Sequence, residues 1–188
     1  MLEKLKLSLN NCTNCSLHSS RSNIVFSDGS EDAKIILIGE APGEMEDKTG
    51  TPFVGRAGKL LNELLAKAGI DRKKDLYIIN TVKCRPPKNR KPTKEEKKAC
   101  LKNLNTQIET VNPRVIVLCG STAMESFIEN KKITITKARG EIFKYKNGIK
   151  LVPIFHPSFL LRKHSTEPNS PRDLTIRDLI KIKELSCL

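Results

Sequence analysis

Apolar residues fall into two repeating patterns along the chain. Short unbroken runs, Ile35-Ile36-Leu37-Ile38, Leu76-Tyr77-Ile78-Ile79 and Val115-Ile116-Val117-Leu118, mark strands buried on both faces. They predict strands over Lys34 to Ile38, Leu76 to Asn80 and Val115 to Cys119. Between the first two, Ala57, Leu60, Leu61, Leu64, Leu65 and Ala68 recur with helical spacing. They predict a helix from about Arg56 to Ala68, closed by Gly69. Thr93-x-x-Glu96 is a capping box, opening a helix that runs to about Val111, with Pro113 beyond it. A short helix through Ala123 to Ile128 follows the third strand. Asn147-Gly148 marks a hairpin turn between Glu141–Tyr145 and Ile149–Phe155. Ser170 and Pro171 start the last helix as N-cap and N1.

Alternating strands and helices imply a mostly parallel sheet in three layers, with ligands beyond the carboxyl ends of the strands. That topology gathers three segments on one edge: the glycine-bearing loop 39–55, the Asn80 segment and "FHPSFLLR". With 188 residues, no internal repeat and no linker, one domain over residues 1–188 is expected. No apolar run approaches the roughly 18 residues of a membrane span. "MLEKLKLSLNNC" lacks the apolar centre and cleavage site of a signal peptide, so a cytoplasmic protein without a membrane partner is expected.

Charge changes this picture. Lysine and arginine outnumber acids 34 to 21, a formal net charge of +13. Such a surplus suits a polyanionic partner, nucleic acid first and an anionic membrane surface second, although a lysine-rich surface tuned for solubility or heat resistance gives the same number. The bases are concentrated, eight within residues 83 to 98 and seven within 131 to 150. The loop 39–55 is the reverse, with Glu40, Glu44, Glu46 and Asp47 against Lys48 alone. It has neither GKS/T nor GxGxxG, and its acids would repel a phosphate held inside. Carboxylates beside backbone amides better suit a neutral, hydrogen-bonding ligand such as a nucleobase.

Three residues around that loop can serve such a ligand. Phe53, one of eight aromatics, lies between Gly50 and Gly55 and could stack on a flat ring or plug the core beneath the loop. Asn80 ends a strand, where an amide offers both donor and acceptor to the N3–H/O4 edge of a pyrimidine, or merely makes a turn. His156 follows the apolar "LVPIF" and so stands at a strand's carboxyl end, whereas His18 and His164 lie in polar surroundings. Beyond it, "FLLR" is either an apolar wedge beside a base or one turn of a core helix.

Six cysteines remain. Cys12 and Cys15 form a CxxC knuckle able to chelate one metal centre, and Cys84 and Cys100 complete a C-x2-C-x68-C-x15-C pattern. Cys119 ends an apolar strand and reads as a buried hydrophobe, and Cys187 lies at the frayed terminus. Zinc, an iron–sulfur cluster and no metal at all stay open on spacing alone; zinc ribbons usually pair two knuckles, whereas clusters tolerate scattered ligands.

Taken together, "GEAPGEMED", "GTPFVGRAG", "INTVKCRPPKNRKP" and "HPSFLLR", in this order, resemble the family 4 iron–sulfur uracil-DNA glycosylases of archaea and bacteria over about residues 5 to 186. The resemblance implies a three-layer α/β/α fold around a four-stranded, mainly parallel sheet. It implies a [4Fe-4S] cluster on Cys12, Cys15, Cys84 and Cys100, so that the N-terminal CxxC segment contributes to the iron–sulfur site. Uracil would be held by the backbone of Glu40, Ala41 and Pro42, stacked on Phe53, read by Asn80 and met at O2 by His156, with Glu46 lining the pocket. In the best-known branch of the superfamily an aspartate handles the attacking water; Ala41 stands at that place here, which leaves Glu40 or Glu46 to attend the water. The implied partner is uracil-containing DNA in the nucleoid of a prokaryote, bound by a monomer. Lys83, Arg85, Lys88, Arg90, Lys91 and Arg162 would grip phosphates, and Leu160 and Leu161 would wedge the stack. The implied activity is hydrolysis of the uracil N-glycosidic bond in base excision repair. A non-catalytic iron–sulfur protein that binds nucleic acid and a glycosylase for another deaminated base are the alternatives, and the sequence leaves a sliding clamp open as a further partner.

Overall fold

The computed structural model describes residues 1–130 and 132–187. Its sheet has six strands: β1 (Asp28–Gly29), β2 (Ile35–Gly39), β3 (Leu76–Asn80), β4 (Val115–Cys119), β5 (Phe143–Lys144) and β6 (Lys150–Ile154). They lie in the order β1-β3-β2-β4-β6-β5. The four central strands are parallel, as the apolar runs predict, and every residue of β2, β3 and β4 is buried. The expected four-stranded sheet is thus the centre of a six-stranded one. The two further strands are two residues long and pair antiparallel at either edge. The hairpin forms as expected, with Asn147 and Gly148 both at positive φ, but its first arm pairs only over Phe143–Lys144.

Among the described residues eight α-helices surround the sheet: α1 (Leu2–Leu9), α2 (Glu44–Thr49), α3 (Arg56–Lys67), α4 (Lys94–Val111), α5 (Ser121–Glu125), α6 (Ile135–Ala138), α7 (Pro157–Leu160) and α8 (Pro171–Cys187). Because side chains alternate along a strand, Ile35 and Leu37 face one layer and Ile36 and Ile38 the other. The first pair packs with Leu60, Leu61 and Leu64 of α3 and with Leu179 and Ile182 of α8. The second packs with Leu2 and Leu9 of α1, Leu104 and Ile108 of α4, and Met124 of α5. The result is the three-layer arrangement expected.

Local signals explain most boundaries. Gly69, at φ +69°, turns the chain out of α3. The capping box of α4 is formed in both directions: Thr93 Oγ1 accepts from Glu96 N at 3.2 Å, and Glu96 Oε2 accepts from Thr93 N at 2.8 Å. Cys119 is fully buried at the end of β4, and burial pushes its thiol far above the ordinary range. No helix among the described residues is long and apolar enough to cross a membrane.

Candidate active site

All four central strands end at one cleft of ≈ 880 Å³. β2 delivers Glu40, Ala41 and Pro42; β3 ends in Asn80; β4 leads to Gly120; β6 leads to His156. The three segments that the sequence predicts to converge therefore line the same cavity, together with Glu46 and Phe53.

Close backbone approach builds its floor. A methyl group at Gly39 would stand 2.4 Å from Asn80 Oδ1 and 2.6 Å from the Phe53 ring. Only glycine at the end of β2 lets the amide and the ring meet there. Phe53 itself is left-handed, with φ 52°, an uncommon conformation for a bulky residue. Its carbonyl oxygen lies where a Gly58 side chain would begin, so α3 holds the loop from beneath. Phe53 is 7% exposed and packs in the core while lining the cleft, so it is both plug and platform.

His156 forms the N-cap of α7. Its Nδ1 accepts the Ser158 backbone N–H at 3.1 Å and stands 2.7 Å from Ser158 Oγ. With Nδ1 an acceptor, the neutral ring carries its proton on Nε2. Burial pushes the imidazole pKa below its ordinary value, against the opposing pull of Glu40 and Glu46. A neutral N–H donor is thus the resting state. The ring lies 6.0 Å from that of Phe53, centroid to centroid.

The two carboxylates differ in their commitments. Glu46 Oε1 accepts from Val54 N at 2.9 Å and Gly55 N at 2.8 Å, tying α2 to the start of α3. The Glu40 carboxylate lines the cleft and has no hydrogen-bond partner among the described residues; its backbone carbonyl accepts from Thr81 Oγ1 at 2.5 Å. Glu40 is the freer of the two to meet a water.

The basic residues sort by position. Lys88, Lys91 and Arg162 are exposed beside or near the cleft. Arg85 donates from Nε to Asn89 Oδ1 at 2.8 Å, and Arg90 grips both carboxylate oxygens of the buried Glu96. Two expectations are corrected. Lys83 is 2% exposed, its Nζ donating to the Asn80 carbonyl at 2.8 Å, so no phosphate can reach it. Burial pushes its ammonium down to about 8. Leu160 is fully buried against the core on α7 and cannot enter a DNA stack; "FLLR" is largely the core turn, with Leu161 alone of the two leucines lining the cleft. Sequence reading gives Arg72 no role and counts Asp47 only among the acids of its loop, because such charges look like surface in a linear chain. Only the capping box hinted at Glu96.

Beside the cleft, Cys12, Cys15, Cys84 and Cys100 line one small cavity of ≈ 20 Å³ with Leu9, Leu17, Ile24 and Val82. No three His, Cys, Asp or Glu side chains among the described residues are arranged to hold a single ion. Burial pushes the Cys84 thiol up to about 11, although Arg21 Nη1 donates to its Sγ at 3.5 Å. Carboxylates pin the surrounding segments. Asp47 accepts from the backbone of Ser22 and Asn23, and Glu96 accepts from Ser16 Oγ at 3.1 Å.

A family model of the uracil DNA glycosylase superfamily matches residues 26–180. The type-4 uracil-DNA glycosylase of Thermotoga maritima is 50% identical over 183 residues, covering 97% of this chain and 93% of the relative. That of Archaeoglobus fulgidus is 41% identical over 167 residues, covering 85% and 83%. A type-5 uracil-DNA glycosylase of Thermus thermophilus is 30% identical over 177 residues, covering 85% and 79%.

Proposed function

The chain belongs to the uracil-DNA glycosylase superfamily, and from that membership we propose that it excises uracil from DNA by hydrolysing the N-glycosidic bond. The observation that carries this reading is the meeting of the His156 Nε2–H donor, the Asn80 amide and the Phe53 ring in one cleft at the strand ends.

A base inside a duplex must be flipped out to reach such a cleft. Phe53 then offers a face for the ring, Asn80 a donor and acceptor for its O4/N3 edge, and the backbone of Glu40, Ala41 and Pro42 further partners. Bond cleavage leaves negative charge on the departing uracil and positive charge on the sugar. A fixed, neutral N–H aimed at O2 stabilises that anion without reorganising, and such terms are often the largest in catalysis. Glu40 orients the attacking water or offsets the sugar cation, and Glu46 holds the Phe53–Gly55 loop. Lys88, Lys91 and Arg162, with Arg85 and Arg90 beside them, contact the phosphates, and Leu161 rests against the opened stack. The whole chain acts as one domain, on DNA in the cytoplasm.

The four thiols fit an iron–sulfur cluster by their chemistry: an all-sulfur donor set drawn from three segments around an apolar cavity. Cys12, Cys15, Cys84 and Cys100 would hold a [4Fe-4S] group, which would supply a structural cross-link near the basic loop. The hydrolysis uses no electron transfer.

Duplexes carrying one U·G, U·A or hypoxanthine pair, incubated with the protein and treated with alkali, test the reading. Strand scission at uracil is expected. Absence of scission at uracil overturns it, and scission at hypoxanthine alone reassigns the base.

A further inference from the structure

Arg72 sits in the sequence "DRKKD", which reads as an exposed charged turn. In the fold its side chain is largely buried and reaches back across the edge of the sheet. Its guanidinium makes four hydrogen bonds. Nη2 donates to the Pro52 carbonyl at 2.6 Å, and Nη1 donates to the Phe53 carbonyl at 3.1 Å and to Asn62 Oδ1 at 2.8 Å. Nε donates to Asp28 Oδ2 at 2.9 Å.

Pro52 and Phe53 carry the carbonyls on either side of the left-handed residue whose ring floors the cleft. Asn62 belongs to α3, the helix packed beneath that loop. Asp28 belongs to β1 at the sheet edge. Burial of Asp28 alone would raise its pKa, but hydrogen bonds from Lys73 and Arg72 outweigh it and hold the carboxyl below its ordinary value. A charged carboxylate therefore orients the guanidinium, and the guanidinium holds two consecutive carbonyls. A bulky residue at positive φ is strained and persists only where its surroundings over-determine it. Gly58 closes the loop from below, and Glu46 ties down Val54 and Gly55. Arg72 supplies the remaining restraint at the strained residue itself.

We propose that Arg72, oriented by Asp28, is a positioning residue that fixes Phe53 in its left-handed conformation and so sets the stacking surface for the base. The proposal rests on the uracil-excision reading for its catalytic consequence, and on the fold alone for its structural one. A planar fork that spans two carbonyls is a geometry lysine cannot reproduce.

Two measurements test it together. Amide hydrogen exchange at Val54 and Gly55 in Arg72→Met should accelerate relative to wild type, while β2 keeps its protection. Steady-state kinetics on uracil-containing DNA should show KM, and the inhibition constant for free uracil, rising about tenfold, the size expected for losing a charge-assisted hydrogen bond, with kcat changed far less. Arg72→Lys should recover only a small part. Lys73→Ala, which removes the exposed second cation from Asp28, should leave both readouts as in wild type. In the Phe53→Ala background, Arg72→Met should add no further loss, because the two act through one contact. Unchanged exchange at Val54 and Gly55, or fully additive losses in the double variant, overturns the proposal. A wild-type protein that releases no uracil overturns the functional reading instead, and the exchange result then decides the brace by itself.

Discussion

The cleft takes its side chains from the ends of four parallel strands, whereas the cysteine cavity takes its own from coil and helix outside the sheet. Asn80 ends a strand, Glu40 and Gly120 follow directly on one, and His156 lies two residues beyond one, each strand in a register fixed by its neighbours. Cys12 and Cys15 lie beyond α1, Cys84 in the loop after β3 and Cys100 on α4. Hydrogen-bonded strands hold the first set in place; buried carboxylates such as Asp47 and Glu96 tie down the segments that carry the second. Positions in the cleft therefore follow from strand register, and positions around the cavity from side-chain tethers outside the sheet. Lys83 lies between the two, bonded to Asn80 and buried beside Cys84 and Cys100.

If that division is right, His156→Ala should give the largest loss confined to chemistry. Removing one preorganised donor lowers kcat about 10²–10³-fold, while the melting temperature and any bound iron stay near wild type. A matching fall in iron content would break the division. Cys84→Ala should do the opposite: iron measured on the purified protein and the melting temperature both fall, and activity at low temperature survives in the folded fraction. Gly39→Ala comes next. Its methyl group collides with Asn80 and Phe53, an overpacking cost of about 1–3 kcal/mol, and KM should rise more than tenfold with iron retained.

The remaining two effects are smaller. Glu96 is held down to about 2, first by hydrogen bonds from Arg90, against the ordinary 4.5 of an unpaired carboxyl. Between those values the unfolded chain binds the extra proton, so this stabilisation is present above about pH 4.5 and lost as pH falls toward 2. Glu96→Gln should flatten that part of an acid-unfolding profile. For DNA binding, Lys91→Ala should lower the slope of log affinity against log salt by about 0.9, whereas Lys83→Met should leave the slope alone.

The four central strands, helices α3 and α4 and the start of α8 were legible because each follows a single local rule: unbroken apolar runs, a turn dipeptide, helical spacing, or a cap. The convergence of Glu40, Asn80, Phe53 and His156 was legible because parallel strands have one carboxyl edge. What escaped depends on contacts far apart in sequence. α1 is short, and its Leu2 and Leu9 are buried only because the sheet and α4 lie beneath them. Lys83 looked like a phosphate contact because its neighbours are basic, and nothing local shows that the turn after β3 folds it inward. Leu160 looked like a wedge for the same reason, since one helical turn cannot reveal which side meets the core. Arg72 and Asp28 are 44 residues apart, and their pairing exists only once β1 has joined β3.

The scatter of the four cysteines also fixes an order of events during synthesis. A ribosome adds roughly 5–20 residues per second, so Cys100 emerges on the order of 4–18 s after Cys12. For most of that interval the first two thiols travel as a bare dithiol, open to oxidants and to stray metal ions, before Val82 and the helix that carries Cys100 can close around them. The tether between Asp47 and the backbone of Ser22 and Asn23 can form as soon as residue 47 is free, well before the last thiol is made. An early clasp of that kind would park the knuckle near its final station, leaving the long helix to arrive and shut the compartment.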